Sequence, residues 1–436
     1  MSASSASLSV KNTLTEPSSV SLQAWLVCLS ASLFFFYEFI QMGMFNSISS
    51  QLMHDFGINA TQLGYLSATY FYADVAFLFF AGMLLDRFST RKIILLAMSI
   101  CVGATIAFAV SSNIWLAGIS HFAAGVGNAF CLLSCIKLAS RWFPPQRMAL
   151  ITGIIVTIAF IGGTVSQTPL TLLVQSLGWR YAVLIDASLG VIILGIIWHF
   201  VCDKPADTQT TTQQCAIKPP VKDSIKFVLT NKQNWLGGFY TCFLNLPIFL
   251  LAELWGVMYL VQVHHIPQTN ASIITSMVFI GSIFGCPIVG WLSDYMGKRR
   301  LPMIVGAICS LAIILLIMFM TQLSFNLLLI LFFALGFFTS AQVISYPAIT
   351  ESNPKAYTGT SLGIASVLIM GGGAVFQPLF GWLMDLNWDG KMINGTAIYS
   401  PHDYFLGMAI MPVAIIIGLL AALLFKETNC QPYQGD

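Results

Sequence analysis

A short phrase occurs twice in this chain, at an interval of 208 residues. The first copy runs Gly82-Met-Leu-Leu-Asp86-Arg87-Phe-Ser89-Thr-Arg91-Lys92, and the second runs Gly290-Trp-Leu-Ser-Asp294-Tyr-Met-Gly297-Lys298-Arg299-Arg300. Each copy closes an apolar segment and opens into a basic turn. Because the interval is close to half of the 436 residues, the repeat predicts an internally duplicated membrane protein.

The composition supports this prediction. The chain is 57% hydrophobic and 8% charged, with a mean hydropathy of +0.81, whereas a soluble protein carries about a quarter charged residues. The apolar excess must face lipid, so the chain is expected to be an integral membrane protein. A net charge of +2 gives no sign of nucleic-acid binding.

The apolar segments can be counted, since about 20 apolar residues cross a bilayer as a helix. Twelve segments result: 23–47, 62–85, 93–111, 114–138, 148–174, 179–201, 234–262, 269–292, 301–320, 324–348, 357–384 and 403–425. The prediction is an all-α membrane protein with twelve transmembrane helices in two six-helix bundles. Its parts are a disordered tail (1–22), a first bundle (23–201), a polar linker (202–233), a second bundle (234–425) and a tail (426–436).

The basic residues predict the orientation. With both termini in the cytoplasm, 17 of the 19 Lys and Arg residues lie in cytoplasmic segments, and only Arg180 and Lys391 lie outside. The short loops are typical of a bacterial inner-membrane protein. The sequons at Asn59, Asn270 and Asn394 lie in predicted outer loops, and we attribute them to chance.

Two bundles of six helices, with the doubled phrase after the second and eighth helices, resemble the major facilitator superfamily over residues 23–425. The second copy matches the family's loop motif closely, whereas the first has Ser89 where Gly is usual. The resemblance implies a cytoplasmic gate, in which aspartates cap and brace helices and arginines form ion pairs that break on opening. The gate residues would be Gly82, Asp86, Arg87, Arg91, Gly290, Asp294, Gly297 and Arg299.

Shorter matches refine the resemblance. His121-Phe-Ala-Ala-Gly125-Val-Gly127 is similar to a second superfamily motif, with His where Arg is usual. Gly162-Gly163 lacks the Gly-Pro pair typical of drug/proton antiporters, which disfavours efflux. Tyr37-Glu38-Phe-Ile-Gln41 and Arg141-Trp-Phe-Pro-Pro resemble the phagosomal transporter group of intracellular bacteria, whose characterised members import amino acids or nucleosides.

Ionisable side chains inside membrane helices are costly and mark transport pathways. Glu38, Asp74, His121, Asp186 and Glu253 lie within the predicted spans. A carboxylate kept from water favours its protonated form, so Glu38 is the first candidate for proton coupling, Asp74 the second, and His121 a partner. In the superfamily, helices one, four and seven line the central cavity, where these groups could meet. The alternative for each is a buried group that only holds helices together, which is the role expected of Asp186.

The middle of every predicted span lacks Lys and Arg. Polyanionic substrates need a cation that replaces their water, so a zwitterionic, cationic or neutral polar solute is favoured. The candidates for binding it are Tyr37, Gln41, Asn245, Glu253, Gln342, Ser345, Tyr346 and Gln377. Glu253 has an alternative place in an outer gate.

No cofactor or metal is expected. The ten cysteines lack the spacing of zinc sites, and the glycine runs at 162–163 and 371–373 lack the Lys and strand of a phosphate loop. No combination of nucleophile and base indicates an enzyme.

Together these features predict a secondary transporter that imports a small polar nutrient, an amino acid or a nucleoside, with protons by alternating access. Because one chain holds both halves of the pathway, we expect a functional monomer. The alternatives are a proton-driven exporter of a siderophore, drug or metabolite and, in another class, a non-transporting membrane receptor. Sodium is an alternative coupling ion.

Overall fold

The computed structural model describes residues 21–144, 147–203, 221–320, 322–393, 396–431 and 433. The first half of the chain contains the helices α1 (Leu22–Phe56), α2 (Ala60–Arg87), α3 (Thr90–Ala109), α4 (Ile114–Trp142), α5 (Met148–Val165), α6 (Thr168–Leu177) and α7 (Trp179–Phe200). A further helix, α8 (Val221–Thr230), precedes the second half.

The second half contains α9 (Lys232–Pro247), α10 (Gly256–His264), α11 (Gln268–Met296), α12 (Arg300–Phe319), α13 (Phe325–Thr339), α14 (Ser345–Glu351), α15 (Thr358–Asp385), α16 (Pro401–Met408) and α17 (Ile410–Leu424). A π-helical segment, Ile248–Trp255, joins α9 to α10, and 3-10 turns occupy Ser340–Ile344 and Lys355–Tyr357. The strands β1 (Met392–Ile393) and β2 (Thr396–Ala397) form an antiparallel hairpin.

The fold-class prediction is confirmed. Eleven helical stretches in the described residues are long and apolar enough to cross a membrane. The predicted second span is also helical, since it coincides with the 28 residues of α2. The end of the molecule that contains the α1–α2 turn is called the outer end below, after the orientation that the basic residues predict.

Polar caps set many of the helix starts. Asn59 accepts a hydrogen bond from the backbone N–H of Gln62 while the Gln62 side chain accepts one from the Asn59 N–H, which is a complete capping box. The Asn59 sequon therefore has a structural role as a cap. Ser89 and Ser400 cap α3 and α16 in a similar way.

Four of the predicted spans are interrupted where continuous helices were expected, and the twelfth span breaks at Ala409 between α16 and α17. The fifth span breaks between α5 and α6, next to Pro169, because proline lacks the N–H that a continuous helix needs. The seventh contains the π segment directly after Pro247, and the tenth contains the 3-10 turn before Pro347. Discontinuous membrane helices free backbone groups for other contacts.

Other boundaries also differ. Helix α1 continues to Phe56, nine residues beyond the predicted end, because its polar final turns pack against the rest of the protein. Part of the predicted linker forms α8. The predicted C-terminal tail packs against the fold through Glu427, whose carboxylate accepts hydrogen bonds from the backbone N–H groups of Arg299 and Arg300. Residues 1–20, 204–220 and 434–436 lie outside the described residues, as does the sequon at Asn394.

Glycines bring neighbouring helices into backbone contact. A Cβ added at Gly125 of α4 would lie 2.1 Å from the carbonyl oxygen of Tyr70 in α2. A Cβ added at Gly381 of α15 would lie 2.3 Å from the carbonyl oxygen of Ala60. Close backbone approach at small residues is the usual way in which membrane helices pack.

We expect Gly125→Ala to lower thermal stability and the yield of folded protein, because a backbone carbonyl cannot move aside as a side chain can. The matched control is Gly103→Ala, since a Cβ at Gly103 meets no atom within 4 Å and Ala is favoured over Gly in a helix by about 0.5–1 kcal/mol. Melting of the detergent-solubilised variants checks this, and equal melting temperatures would contradict it.

Candidate functional site

Glu38 lies in the interior of the first half, where α1 meets α2 and α4. Its side chain is fully buried, and one carboxylate oxygen accepts a 2.8 Å hydrogen bond from the Tyr70 hydroxyl. The other oxygen has no nitrogen or hydroxyl partner among the described residues, and the Cys101 thiol lies beside the carboxyl group. Gly127 leaves the space for this oxygen, because a Cβ there would lie 2.9 Å from it. The glycines of the second motif therefore shape the surroundings of Glu38.

His121 is part of the same cluster but does not contact the carboxylate. Its ring lies 5.2 Å from the ring of Tyr70 and 4.5 Å from that of Phe45, measured between centroids. His121 is buried, and its Nδ1 has no hydrogen-bond partner among the described residues. Tyr70 therefore stands between the imidazole and Glu38, so Tyr70 is a site residue that the sequence analysis missed.

The other two acids of this half have different partners. Asp74 is buried beside Asn128 of α4, and one of its oxygens lacks a hydrogen bond within the described part of the chain. Asp186 of α7 accepts a 2.5 Å hydrogen bond from Gln41. The expected structural partnership of Asp186 is thus with Gln41.

Tyr37 and Gln41 extend this polar chain. Thr105 donates a 3.0 Å hydrogen bond to the Gln41 carbonyl oxygen and accepts a 3.3 Å hydrogen bond from the Tyr37 hydroxyl. Both predicted substrate-binding residues are buried, and both bond to side chains of the first half.

This half therefore buries three carboxyl groups among few bases. Among the buried residues that the structure describes in this half, His121 is the single basic residue. An ionised carboxylate without a nearby cation is strongly disfavoured in an apolar interior, and it neutralises by binding a proton. The arrangement is chemically suited to holding protons.

The second half offers neutral polar groups. Gln342 donates a 2.7 Å hydrogen bond to the side-chain oxygen of Asn245, and Ser345 is bonded to Thr241. Asn245 and Tyr346 are half-buried, so this group is partly accessible from the space beside α9 and α14. Gln377 of α15 donates a 3.0 Å hydrogen bond to the Phe249 carbonyl.

Glu253 lies apart from the acids of the first half. It belongs to the π segment, is 1% exposed, and neither carboxylate oxygen has a hydrogen-bond partner among the described residues. The structure therefore brings Glu38, Tyr70 and His121 together but separates them from Glu253.

The second copy of the repeated phrase forms a charged cluster. Arg299 is 8% exposed at its side chain, and it bonds to Asp294 at 2.5 Å and to Glu351 at 2.7 Å. Burial acts to lower the pKa of the Arg299 guanidinium, but the hydrogen bonds and charges of Glu351 and Asp294 outweigh burial and raise this pKa above its usual value. Glu351, at the end of α14, is a member that the sequence analysis missed.

The first copy is organised around Asp203, which the sequence analysis assigned to the linker. Asp203 accepts hydrogen bonds from the Ser89 hydroxyl and, at 3.0 Å, from the Arg91 backbone N–H, and it forms an ion pair of 3.2 Å with Arg141. The Arg91 guanidinium donates instead to the carbonyl oxygen of Trp198. The expected Arg91 ion pair stays a prediction, since the side chain of Asp86 lies outside the described residues.

The two copies turn differently, which explains Ser89. Gly297 ends α11 with φ of +61°, a conformation that favours glycine. Ser89 has φ of −58° and acts as the cap of α3, so no glycine is needed there. Arg87 is exposed, and the side chain of Asp86 lies outside the described residues.

Gly82 and Gly290 show no close packing. A Cβ added at either position meets no atom within 4 Å. In contrast to the interior glycines, they face open space at the inner ends of α2 and α11.

The two halves are joined at the outer end. Asn46 of α1 donates to the carbonyl oxygens of Leu251 and Ala252 at 3.1 and 3.0 Å, and it accepts from the Val257 N–H at 2.9 Å. Gln167 donates to the Ala252 carbonyl at 2.8 Å. Within the described part of the chain, the hydrogen bonds that join side chains of one half to the other all lie toward this end.

Asn46 and Gln167 were absent from the predicted site. Both are buried polar residues inside predicted spans. Amides inside membrane helices are also costly, although less so than acids, and this cost is the signal that could have indicated them.

The outer face also has a cleft of about 470 Å³, which reaches from α1 to the Thr396 strand. Asp55 and Arg180 form an ion pair in its wall, and Arg180 lies over the Trp179 ring at 4.3 Å. One of the two basic residues predicted outside thus has a local acidic partner.

Comparison with known proteins identifies the family. The family model described as the Major Facilitator Superfamily matches residues 31–378 and 255–429. A hexuronate transporter of Bacillus subtilis is 23% identical over 57% of this chain and 59% of its own length. A probable galactarate/D-glucarate transporter of the same organism is 22% identical over 88% of this chain and 90% of its own.

Solved structures share the fold. A bacterial homologue of the human lysosomal transporter Spinster, in an inward-facing and unoccupied conformation, superposes with a TM-score of 0.76 at 16% identity, covering 93% of this chain and 98% of that one. The nucleoside transporter NupG gives 0.71 at 13% identity, covering 92% and 99%. The chain belongs to the major facilitator superfamily and is a multi-pass membrane protein and secondary transporter of small solutes, not an enzyme.

Proposed function

We propose that this protein imports a small polar nutrient, an amino acid or a nucleoside, together with protons. The observation that carries the proposal is the environment of Glu38, which is fully buried with one oxygen that lacks a nitrogen or hydroxyl partner among the described residues and without a cation beside it. Such a carboxyl group binds a proton when enclosed and releases it when water reaches it.

Alternating access gives this chemistry a direction. Glu38 would take up a proton from the outside, which permits substrate binding and closure of the outer end. Opening of the inner end would then admit water, and substrate and proton would leave. Tyr70 holds the carboxyl group through its hydroxyl in each step.

Substrate recognition is assigned to the neutral groups of the second half. Asn245, Gln342, Ser345 and Tyr346 supply donors and acceptors without a fixed charge, as a zwitterion or a nucleoside requires. The resemblance to the phagosomal nutrient transporters supports the same substrate class.

A second candidate substrate class is an organic acid, favoured by the similarity to the hexuronate and galactarate/D-glucarate transporters. An anion would have to bind without Lys or Arg in the middle of a span. The protonated His121 is then the available cation, although its ring is enclosed by Phe45 and Tyr70.

The proposal includes a bacterial inner-membrane location, cytoplasmic termini and function as a monomer. The distribution of basic residues supports the orientation. The presence of both halves in one chain supports the monomer.

Uptake into proteoliposomes tests the function. Labelled amino acids, nucleosides and sugar acids are supplied with an inward proton gradient, which is then collapsed. Accumulation of an amino acid or nucleoside that disappears with the gradient supports the proposal, and accumulation of a sugar acid supports the second candidate. Proton-driven extrusion from loaded vesicles would instead establish an exporter, and binding without turnover would establish a receptor.

A further inference from the structure

The π segment is one of the parts of the second half that the first half contacts at the outer end. In an α-helix the carbonyl groups of Leu251 and Ala252 would accept hydrogen bonds from backbone N–H groups of the same helix. Here they accept hydrogen bonds from the side chains of Asn46 and Gln167. Gly256 follows the segment, and a Cβ there would lie 2.0 Å from the Leu251 carbonyl oxygen. These contacts of the outer closure therefore depend on the π conformation of Ile248–Trp255.

Glu253 is the residue directly after Ala252 in this contact. Its carboxyl group is 1% exposed, and both oxygens lack a hydrogen-bond partner in the described part of the chain. Two further buried polar atoms share this condition, the Trp255 indole nitrogen and the Gln377 side-chain oxygen. The closed outer end thus encloses an acid that no described polar group stabilises.

The helices packed against the π segment are α1, α9, α10, α11 and α15. Their charged and titratable side chains are engaged elsewhere or lie at the far ends of the helices. Among the described residues of α1, Glu38 bonds to Tyr70, Tyr37 to Thr105, and Asp55 to Arg180 and His54. In α9 and α10, Tyr240 bonds to the Met303 carbonyl, Tyr259 to the Ile317 carbonyl and His264 to Tyr259, while Lys232 is exposed at the inner end of α9. In α11 and α15, Asp294 bonds to Arg299, and Asp385 bonds to Thr61 and Tyr399.

A carboxylate in this position would be an unpaired buried charge. Its ionised form is incompatible with the closed outer end, because the closed packing supplies neither water nor a cation. Separation of Asn46 and Gln167 from the π segment would open this region to outer water. The charged form of Glu253 is then tolerated.

We propose that Glu253 is a second proton-binding site, distinct from Glu38, that controls the outer gate. With the gate closed, Glu253 holds a proton. When the gate opens, the proton passes to outer water and the carboxylate remains. The site acts as a proton-sensitive lock, so low outer pH favours closure and high outer pH favours opening.

Hydrogen–deuterium exchange of the full chain in lipid nanodiscs tests the lock without attaching a probe to the protein. The readout is the backbone of α6 and α10, which flank the outer contact. We expect wild-type exchange, corrected for intrinsic rates, to rise about tenfold in these helices between about pH 5 and about pH 8, as expected for a shift toward the open state. No rise in the wild type would overturn the proposal.

The Glu253→Gln variant mimics the protonated state. We expect it to remain protected at both pH values, whereas Asn46→Ala, which lacks the contact with the π segment, should exchange rapidly at both and so calibrate the open state. A Glu253→Gln variant that responds to pH as the wild type does would overturn the proposal.

Two further arms separate this lock from the proposed function. Glu38→Gln should keep the pH response of the outer end even if it loses uptake. If instead Glu38→Gln loses the pH response and Glu253→Gln keeps it, the group that titrates is Glu38. Addition of sodium at the higher pH should leave exchange unchanged. Protection by sodium would mean that Glu253 binds a metal cation instead.

Discussion

Glu38→Gln is expected to abolish proton-driven accumulation of the substrate while leaving the protein folded. In a carrier that couples one proton to one substrate, a gradient of about two pH units sustains about 100-fold accumulation, since each unit corresponds to about 1.4 kcal/mol. The variant should equilibrate its substrate and accumulate none, because the amide cannot bind and release a proton. Uptake into proteoliposomes with and without the gradient measures this change.

The structure explains why glutamine is the appropriate replacement. The amide has nearly the same shape as the carboxyl group, so it still fits the space left by Gly127 and still accepts from the Tyr70 hydroxyl. It also represents the protonated state, and exchange of internal for external substrate, which needs no net proton movement, should therefore persist. Retained exchange with lost accumulation distinguishes coupling from misfolding.

Asp186→Asn is the matched control, since it neutralises another buried acid of the same half. Its carboxylate accepts a hydrogen bond from Gln41, which an amide oxygen also accepts, so accumulation should survive. Full uphill uptake by Glu38→Gln would refute the assignment of coupling to Glu38. Equal loss in both variants would mean that the two acids act as one unit.

Arg299→Ala is expected to have the largest effect on stability. Arg299 and Glu351 are 8% and 13% exposed at their side chains, so removing the arginine leaves Glu351 as a largely buried charge without its partner. Breaking such a pair costs about 3–5 kcal/mol. The contact with Asp294 adds little to this value, since that side chain is 68% exposed.

The effect should also reach transport, because Arg299 joins α11 to α14 and its backbone N–H bonds to Glu427 at the end of the chain. Lys298→Ala is the control, since Lys298 carries the same charge at the adjacent position and is exposed. Thermal melting in detergent and initial uptake rates give the comparison. A melting temperature for Arg299→Ala equal to that of Lys298→Ala would show that the ion pair contributes no stability.

The resemblance implied that Arg87, Arg91 and Arg299 would form the ion pairs of a gate, and this assignment stays a prediction. Arg299 forms ion pairs, whereas Arg91 donates to a backbone carbonyl and Arg87 is exposed. The members that complete both clusters, Asp203 and Glu351, lie more than 50 residues away from the repeated phrases in sequence. Proximity in the chain could not indicate them.

The class of this protein, its series of long apolar helices and its division into two halves could be predicted from the sequence. These properties follow from the apolar length of each segment and from the doubled phrase, and both are local patterns that lipid and water select directly. The identity of the buried acids was equally visible, because a carboxyl group inside an apolar run is conspicuous in any arrangement of helices.

Which of these groups meet could not be predicted before the helices were placed in three dimensions. The partnership of Glu38 with Tyr70, the separation of Glu253 from both, and the contact of Asn46 with the π segment depend on the rotation and spacing of helices. In a membrane that spacing is set by close backbone contacts at glycines such as Gly125 and Gly381, because helix association there relies on packing and hydrogen bonds more than on hydrophobicity. Hydrophobic patterns record exposure to lipid, so they carry no record of these contacts.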